Sequence, residues 1–113
     1  MEVQVRNKHL PISPQKLRLV CDQVRGMGAD QALTVLKFMP QKGAEFVQKT
    51  VASAVANATN NFDMHRDSLY VATIYADEGP SLKRMKAGAR GRYKPRIKRT
   101  SHLTVVLAER EES

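Results

Sequence analysis

The stretch LKRMKAGARGRYKPRIKR, at Leu82–Arg99, lies between two segments whose composition predicts β-strands. The first segment is SLYVATIYA at Ser68–Ala76, and the second is HLTVVLAE at His102–Glu109. Both are rich in residues that suit a buried strand, and both are short for a helix. Two strands on either side of one symmetric connection indicate an antiparallel hairpin.

The tip of this hairpin is placed by the pairing of its strands. If Tyr70 pairs near Ala108, the chain reverses near Ala89–Arg90, where Gly88 and Gly91 supply the backbone freedom that a turn needs. About eleven residues then separate the end of the first strand from the tip, and an extended arm of that length reaches about 35 Å.

Positive charge is concentrated in the hairpin. Nine of the eighteen residues in the quoted stretch are Lys or Arg, and no acidic residue occurs between Gly79 and Ala108. The ten basic and eleven acidic side chains elsewhere sum to −1, so the nine basic residues of this segment account for the formal net charge of +8. Such segregation indicates a dedicated contact surface for a polyanion.

A cationic ribbon of this kind needs a partner. Two-stranded ribbons are marginal in water, and repulsion between like charges weakens this one further. Nucleic acid offers dense phosphate charge, and the release of its counterions drives binding. The alternative is a solvated, disordered charge run, which the flanking strands and the placed glycines disfavour.

An amphipathic helix is predicted near the start of the chain. In ISPQKLRLVCDQVRGMG, Ser13 suits the N-cap, Pro14 the first helical position and Gly26 the stop. The apolar face of this helix consists of Leu17, Val20, Cys21 and Val24. The basic residues off that face are expected to remain available to a partner, and they are Lys16, Arg18 and Arg25.

Two further helices and one strand complete the body. ADQALTVLKFM predicts a short helix that Pro40 ends, with three residues turned inward, namely Ala32, Leu33 and Leu36. A longer helix over about residues 40–60 buries Ala44, Val47, Val51, Val55 and Ala58, and the opening MEVQVRN predicts a half-buried strand. The predicted fold class is α+β, with three helices packed on a small antiparallel sheet and a long protruding β-hairpin. Residues 1–113 form one domain, with a globular body at 1–78 and 101–113 and the hairpin at 79–100.

Several functional classes find no support in the sequence. Cys21 is the only cysteine, so an intramolecular disulfide or thiolate cluster is excluded. No apolar run approaches the about 18 residues of a membrane span, and the start of the chain does not resemble a secretory signal. No phosphate-binding glycine loop or nucleophile–base set is visible, and Asp77–Glu78 is predicted to cap a turn or pair with an arginine. We therefore expect no enzymatic activity, no cofactor and no metal site.

A resemblance to a known family emerges from motifs along the whole chain. ISPQKLR, VRG, QAL, SAVANATNN, DEGPSLKR, ARGR and KRTSHLTVVL occur in this order. Together they resemble the bacterial family of large-ribosomal-subunit protein twenty-two, known for its exit-tunnel β-hairpin. KRTSHLTVVL at Lys98–Leu107 and ARGR at Ala89–Arg92 are the most specific matches, and SAVANA at Ser53–Ala58 supports them.

The resemblance implies a structural constituent of the large ribosomal subunit. It implies binding to 23S ribosomal RNA, a role in its folding and assembly, and a hairpin tip that lines the nascent-peptide exit tunnel. The implied partners are this RNA, neighbouring ribosomal proteins and, transiently, the nascent peptide, in a cytoplasmic ribosome and without a membrane. The tunnel-facing tip corresponds to Ala87, Gly88, Ala89, Arg90 and Gly91. At Ala87–Gly88 the sequence departs from the Pro-Arg pair that is usual in the family.

The predicted RNA contacts combine the hairpin with cations beside the first helix. Tyr93 is predicted either to stack on a base or to pack on the opposite arm, and His102 either to make a structural hydrogen bond or to touch RNA. His9 and His65 show no ligand spacing with His102. The full predicted set is Lys16, Arg18, Lys83, Arg84, Lys86, Arg90, Arg92, Tyr93, Lys94, Arg96, Lys98, Arg99 and His102.

The alternative function is that of an architectural DNA-binding protein with a β-ribbon arm. Such proteins are usually dimers and carry an apolar wedge at the arm tip. The predicted tip, Gly-Ala-Arg-Gly, has no wedge, and the helices show no dimer seam. We therefore expect a monomer off the ribosome.

Overall fold

The computed structural model describes residues 1–80, 82–87 and 93–110, with residues 82–87 and 93–98 described through their backbone alone. Within these residues the order is β1 (Glu2–Leu10), α1 (Pro14–Val24), α2 (Ala29–Lys37), α3 (Lys42–Asn61), a short 3-10 turn (Arg66–Ser68), β2 (Leu69–Glu78), β3 (Leu82–Ala87), β4 (Tyr93–Lys98) and β5 (Ser101–Glu109). The predicted α+β class, with helices packed on a small antiparallel sheet, is confirmed.

Two antiparallel sheets follow one another along the chain. The body sheet has the order β1-β5-β2, and β3 pairs with β4 in the second sheet. Tyr70 lies opposite Ala108, as predicted, and Ala87 lies opposite Tyr93. The reversal predicted near Ala89–Arg90 lies outside the described residues.

The helices cover one face of the body sheet. Helix α3 packs on β1 and β5, and α1 packs on β2. The apolar faces predicted for α1 and α3 are buried throughout. In the sheet, β5 is the central strand and buries the predicted series Leu103, Val105 and Leu107.

Several boundaries differ from the sequence prediction. The first strand continues to Leu10, because its pairing with β5 extends past a bulge as far as Ser101. Helix α2 ends at Lys37 rather than at Pro40, since the chain leaves helical geometry at Phe38. Leu33, predicted to point inward, is only partly buried.

The outer edge of β2 is covered by α1 and the loop that follows it. The Gly26 amide donates to the Val71 carbonyl at 2.9 Å, and the Val71 amide donates to Met27 at 2.8 Å. The Arg25 guanidinium donates to the Ile74 carbonyl at 2.8 Å. An uncovered strand edge is a template for unwanted pairing. Arg25 therefore satisfies this edge while its side chain stays 48% exposed, so the expectation that it is available to a partner remains a prediction.

Candidate nucleic-acid interface

The hairpin joins the body through a close contact between its two arms. The Gly79 amide donates to the Thr100 carbonyl at 2.9 Å, and the Thr100 hydroxyl donates to the Pro80 carbonyl at 2.8 Å. A Cβ at residue 79 would lie 2.5 Å from the Thr100 hydroxyl oxygen. Glycine is thus required here by the proximity of the opposite arm.

A buried hydrogen bond ties this junction to the segment before α1. Ser101 is fully buried, and its hydroxyl donates to the Ile12 carbonyl at 2.6 Å. An unsatisfied buried carbonyl would cost about 1–3 kcal/mol. The bond therefore fixes the start of α1 beside the point where the hairpin returns to the body.

Histidines flank the other side of the junction. The His9 amide donates to Nδ1 of His102 at 3.1 Å, and the two rings meet edge to face with centroids 4.9 Å apart. His9 adopts a left-handed backbone with φ +60°. Partial burial lowers the pKa of His102, and the nearby positive charges of His9, Arg6 and Lys8 lower it further. The structural hydrogen bond predicted for His102 is confirmed.

An ion pair next to these histidines involves a predicted carboxylate. Asp77 lies 3.7 Å from the guanidinium of Arg6, as measured between Oδ2 and Nη1. This agrees with the prediction that Asp77–Glu78 would pair with an arginine or cap a turn. The strand register also places Asp77 opposite His102. The negative charge of Asp77 raises the pKa of that imidazole, whereas the other contributions lower it.

Three predicted contact residues from distant parts of the sequence meet at one cleft. Lys16 and Arg18 reach it from α1, and Arg99 reaches it from the end of the hairpin. The cleft has a volume of about 590 Å³ and is lined by Ser13, Pro14, Gln15, Lys16, Arg18, Glu78 and Arg99. The Ser13 hydroxyl accepts from the Lys16 amide at 3.5 Å, which confirms the predicted N-cap.

Arg18 has a structural contact as well as a place at this cleft. Its Nε donates to the Ala76 carbonyl at 3.1 Å, at the outer edge of β2. That contact anchors the guanidinium beside the cleft. Its predicted contact with RNA remains a prediction.

Lys42, which the sequence analysis did not single out, lines an adjoining cleft together with Lys16 and Arg99. Lys42 is the first residue of α3, and its place depends on how closely that helix packs on α1. The sequence around Lys42 does not indicate how closely the two helices pack, so it could not predict that Lys42 lies at this cleft.

The remaining predicted contacts lie in the hairpin. The backbone register puts Arg84 opposite Arg96 and Lys86 opposite Lys94. Like charges directly across an antiparallel pair are destabilising. Lys83, Tyr93 and Lys98 also fall on the described strands, whereas Arg90 and Arg92 lie outside the described residues.

The molecule is elongated. Its radius of gyration is 17.2 Å, whereas a compact chain of this length has a radius of about 13 Å. Its principal extents of 68 × 26 × 18 Å agree with an arm that projects from a small body.

Other kinds of site receive no support from the described residues. Burial raises the pKa of the Cys21 thiol to about 11, so this core cysteine is a poor nucleophile near neutral pH. Within the described ranges, His, Cys, Asp and Glu form no group of three or more that could hold a metal ion. None of the helices described is both long and apolar enough to cross a membrane.

A small body that carries a charged, projecting hairpin is an architecture suited to a structural component of a ribonucleoprotein. Comparison with known proteins identifies the family to which the chain belongs. The family model "Ribosomal protein L22p/L17e" matches residues 5–108. The chain therefore belongs to this family, whose role in the large ribosomal subunit is structural and not enzymatic.

Three similar proteins bear the name "Large ribosomal subunit protein uL22". The one from Desulfotalea psychrophila is 57% identical over 109 residues, which cover 96% of this chain and 99% of that protein. The one from Chloroflexus aggregans is 52% identical over 112 residues, which cover 99% of both chains. The one from Carboxydothermus hydrogenoformans is 46% identical with the same coverage.

Proposed function

We propose that this protein binds 23S ribosomal RNA, supports its folding and assembly, and lines the nascent-peptide exit tunnel with its hairpin tip. The observation that carries the proposal is the pairing of Arg84 with Arg96 and of Lys86 with Lys94. Such opposed cations repel each other in the free protein, and phosphates on both sides of the ribbon relieve that repulsion.

The same proposal includes the surroundings of the protein. It works in the cytoplasm within the ribosome, next to other large-subunit proteins, and it is a monomer when free. The body, residues 1–78 and 101–113, is a rigid base, and the hairpin, residues 79–100, enters the RNA. The tip, residues 87–91, touches the nascent peptide transiently.

Sedimentation of the tagged protein from cell lysate tests the RNA part of the proposal. We expect migration with the large subunit that ribonuclease abolishes. A slowly sedimenting dimer that only deoxyribonuclease releases would instead support the DNA-binding alternative.

Crosslinking tests the tunnel part separately. A photoreactive group placed at Ala89 should capture an arrested nascent chain, whereas the same group at exposed Lys37 should not. Equal capture from both positions, or capture from neither, would contradict a tunnel-facing tip.

A further inference from the structure

A second charged surface lies on the body, beside the base of the hairpin. We call it the root cleft, and its lining consists of Pro11, Ile12, Ser13, Lys16, Lys42 and Arg99. Its volume is about 330 Å³, and it shares Ser13, Lys16 and Arg99 with the larger cleft described above. Its three cations come from α1, from α3 and from the segment that follows β4.

These cations have no acidic partner in the described part of the chain. Ion pairs within 4 Å form elsewhere, for example between Arg66 and Asp30, but none forms with Lys16, Lys42 or Arg99. Three exposed cations converge on a cleft whose own lining holds no carboxylate, and one glutamate, Glu78, lines the neighbouring cleft. The excess of positive charge attracts an anion.

Buried contacts hold the walls of the root cleft. The bond from Ser101 to the Ile12 carbonyl fixes one wall against the hairpin base. Gly43, next to Lys42, lets α3 approach α1 closely: a Cβ there would lie 3.2 Å from the Ile12 side chain and 3.5 Å from that of Leu17. The three cations therefore project from a packed framework, and less of their binding free energy is lost to ordering the backbone.

We propose that the root cleft binds the phosphate backbone of one RNA segment, and that Lys42 contacts a phosphate there together with Lys16 and Arg99. This inference rests on the proposed function, because RNA supplies the phosphodiesters. It adds a contact residue on α3 and a binding surface separate from the paired arms of the hairpin. An RNA strand held here runs past the hairpin base, so the body and the hairpin grip the RNA from two directions.

The test compares Lys42→Ala with Lys37→Ala in the full-length protein. Both variants remove one exposed lysine from a helix, and Lys37 lines none of the clefts described here. Loss of a cation from the first turn of α3 does not weaken that helix, since the helix dipole disfavours positive charge there. Affinity for 23S ribosomal RNA is measured by filter binding over a series of salt concentrations.

We expect Lys42→Ala to lower the affinity several-fold and to reduce the slope of log K against log salt by about 0.7–0.9. Lys37→Ala should change neither quantity. Equal effects of the two variants would overturn the proposal while leaving RNA binding by the hairpin intact. Failure of the unmodified protein to bind the RNA would overturn the proposed function as well.

Free inorganic phosphate could occupy the root cleft in place of a phosphate group of RNA. Inorganic phosphate is therefore titrated against the protein at constant ionic strength, with the Lys42 amide signal followed by NMR. We expect RNA to shift this signal and inorganic phosphate to leave it unchanged at concentrations far above that of the RNA. Saturation by inorganic phosphate at a concentration similar to that of the RNA would assign the cleft to a small anion and overturn the proposal.

Discussion

The hydroxyl of Ser101 donates to the carbonyl of Ile12 across 89 positions of sequence, at a distance of 2.6 Å. Ser101 begins the strand that leaves the hairpin, and Ile12 precedes α1. One hydrogen bond therefore couples the base of the hairpin to the wall of the root cleft.

Replacing Ser101 with alanine should destabilise the protein by about 1–3 kcal/mol, because the buried Ile12 carbonyl loses its donor. Urea unfolding followed by circular dichroism measures this change. Ser53→Ala is the matched control, since Ser53 is exposed on α3 and should lose little or no stability. Equal unfolding midpoints for the two variants would contradict the structural role of the Ser101 bond.

Replacing Gly79 with alanine should also destabilise the junction, by about 1–3 kcal/mol, because the new Cβ meets the Thr100 hydroxyl. The same substitution at Gly28 should be tolerated, since a Cβ there would have its nearest contact at 3.9 Å, with the Leu69 carbonyl. Thermal unfolding of the two variants gives the comparison.

A double-mutant cycle identifies the cause of that effect. In a Thr100→Ala background, which removes the 2.5 Å contact, Gly79→Ala should cost less than it does alone. An undiminished cost would show that the strain comes from another neighbour, such as His102, whose Cε1 would lie 3.2 Å away.

Local rules of sequence predicted much of this fold. Ser13 caps α1 as expected, since capping depends on residues within one turn. The apolar faces of α1 and α3 follow from helical periodicity. The pairing of Tyr70 with Ala108 was predictable because two strong strands flank one symmetric connection.

Features that depend on tertiary packing were not predictable in this way. Arg25 covers the edge of β2 because α1 crosses that edge, and its position off the apolar face says nothing of this role. Lys42 reaches the root cleft because Gly43 lets two helices approach closely. The left-handed backbone of His9 lies where the register between β1 and β5 shifts.

The lowered pKa of His102 predicts a dependence of stability on pH. The folded state favours the neutral imidazole, whose Nδ1 accepts from the His9 amide, so the unfolded chain binds the proton more readily. This contribution is present above the unfolded pKa of about 6.5 and is lost as the pH falls through that value toward the lower folded pKa. Urea unfolding at several pH values between about 5 and 7.5 measures it.

The variant His102→Asn separates the contribution of His102 to the pH dependence of stability from the contributions of other titrating groups. The asparagine side chain keeps an acceptor for the His9 amide but does not titrate. We expect its stability to fall less steeply with acid than that of the unmodified protein. Parallel curves would assign the acid dependence to other groups and would contradict the role of His102.

Because cations face each other across the hairpin strands, one substitution should make the free hairpin more ordered and at the same time weaken its binding to RNA. Arg96→Glu places a carboxylate across from Arg84, and an opposite-charge pair favours the ribbon by about 0.2–1 kcal/mol. Amide hydrogen exchange along β3 and β4 of the free protein should therefore slow. Affinity for 23S ribosomal RNA should fall at the same time, because the phosphate contact proposed for Arg96 would be replaced by repulsion. Lys37→Glu changes the net charge equally outside the hairpin and should leave both measurements unaltered. A loss of affinity as large in Lys37→Glu as in Arg96→Glu would mean that net charge alone governs binding.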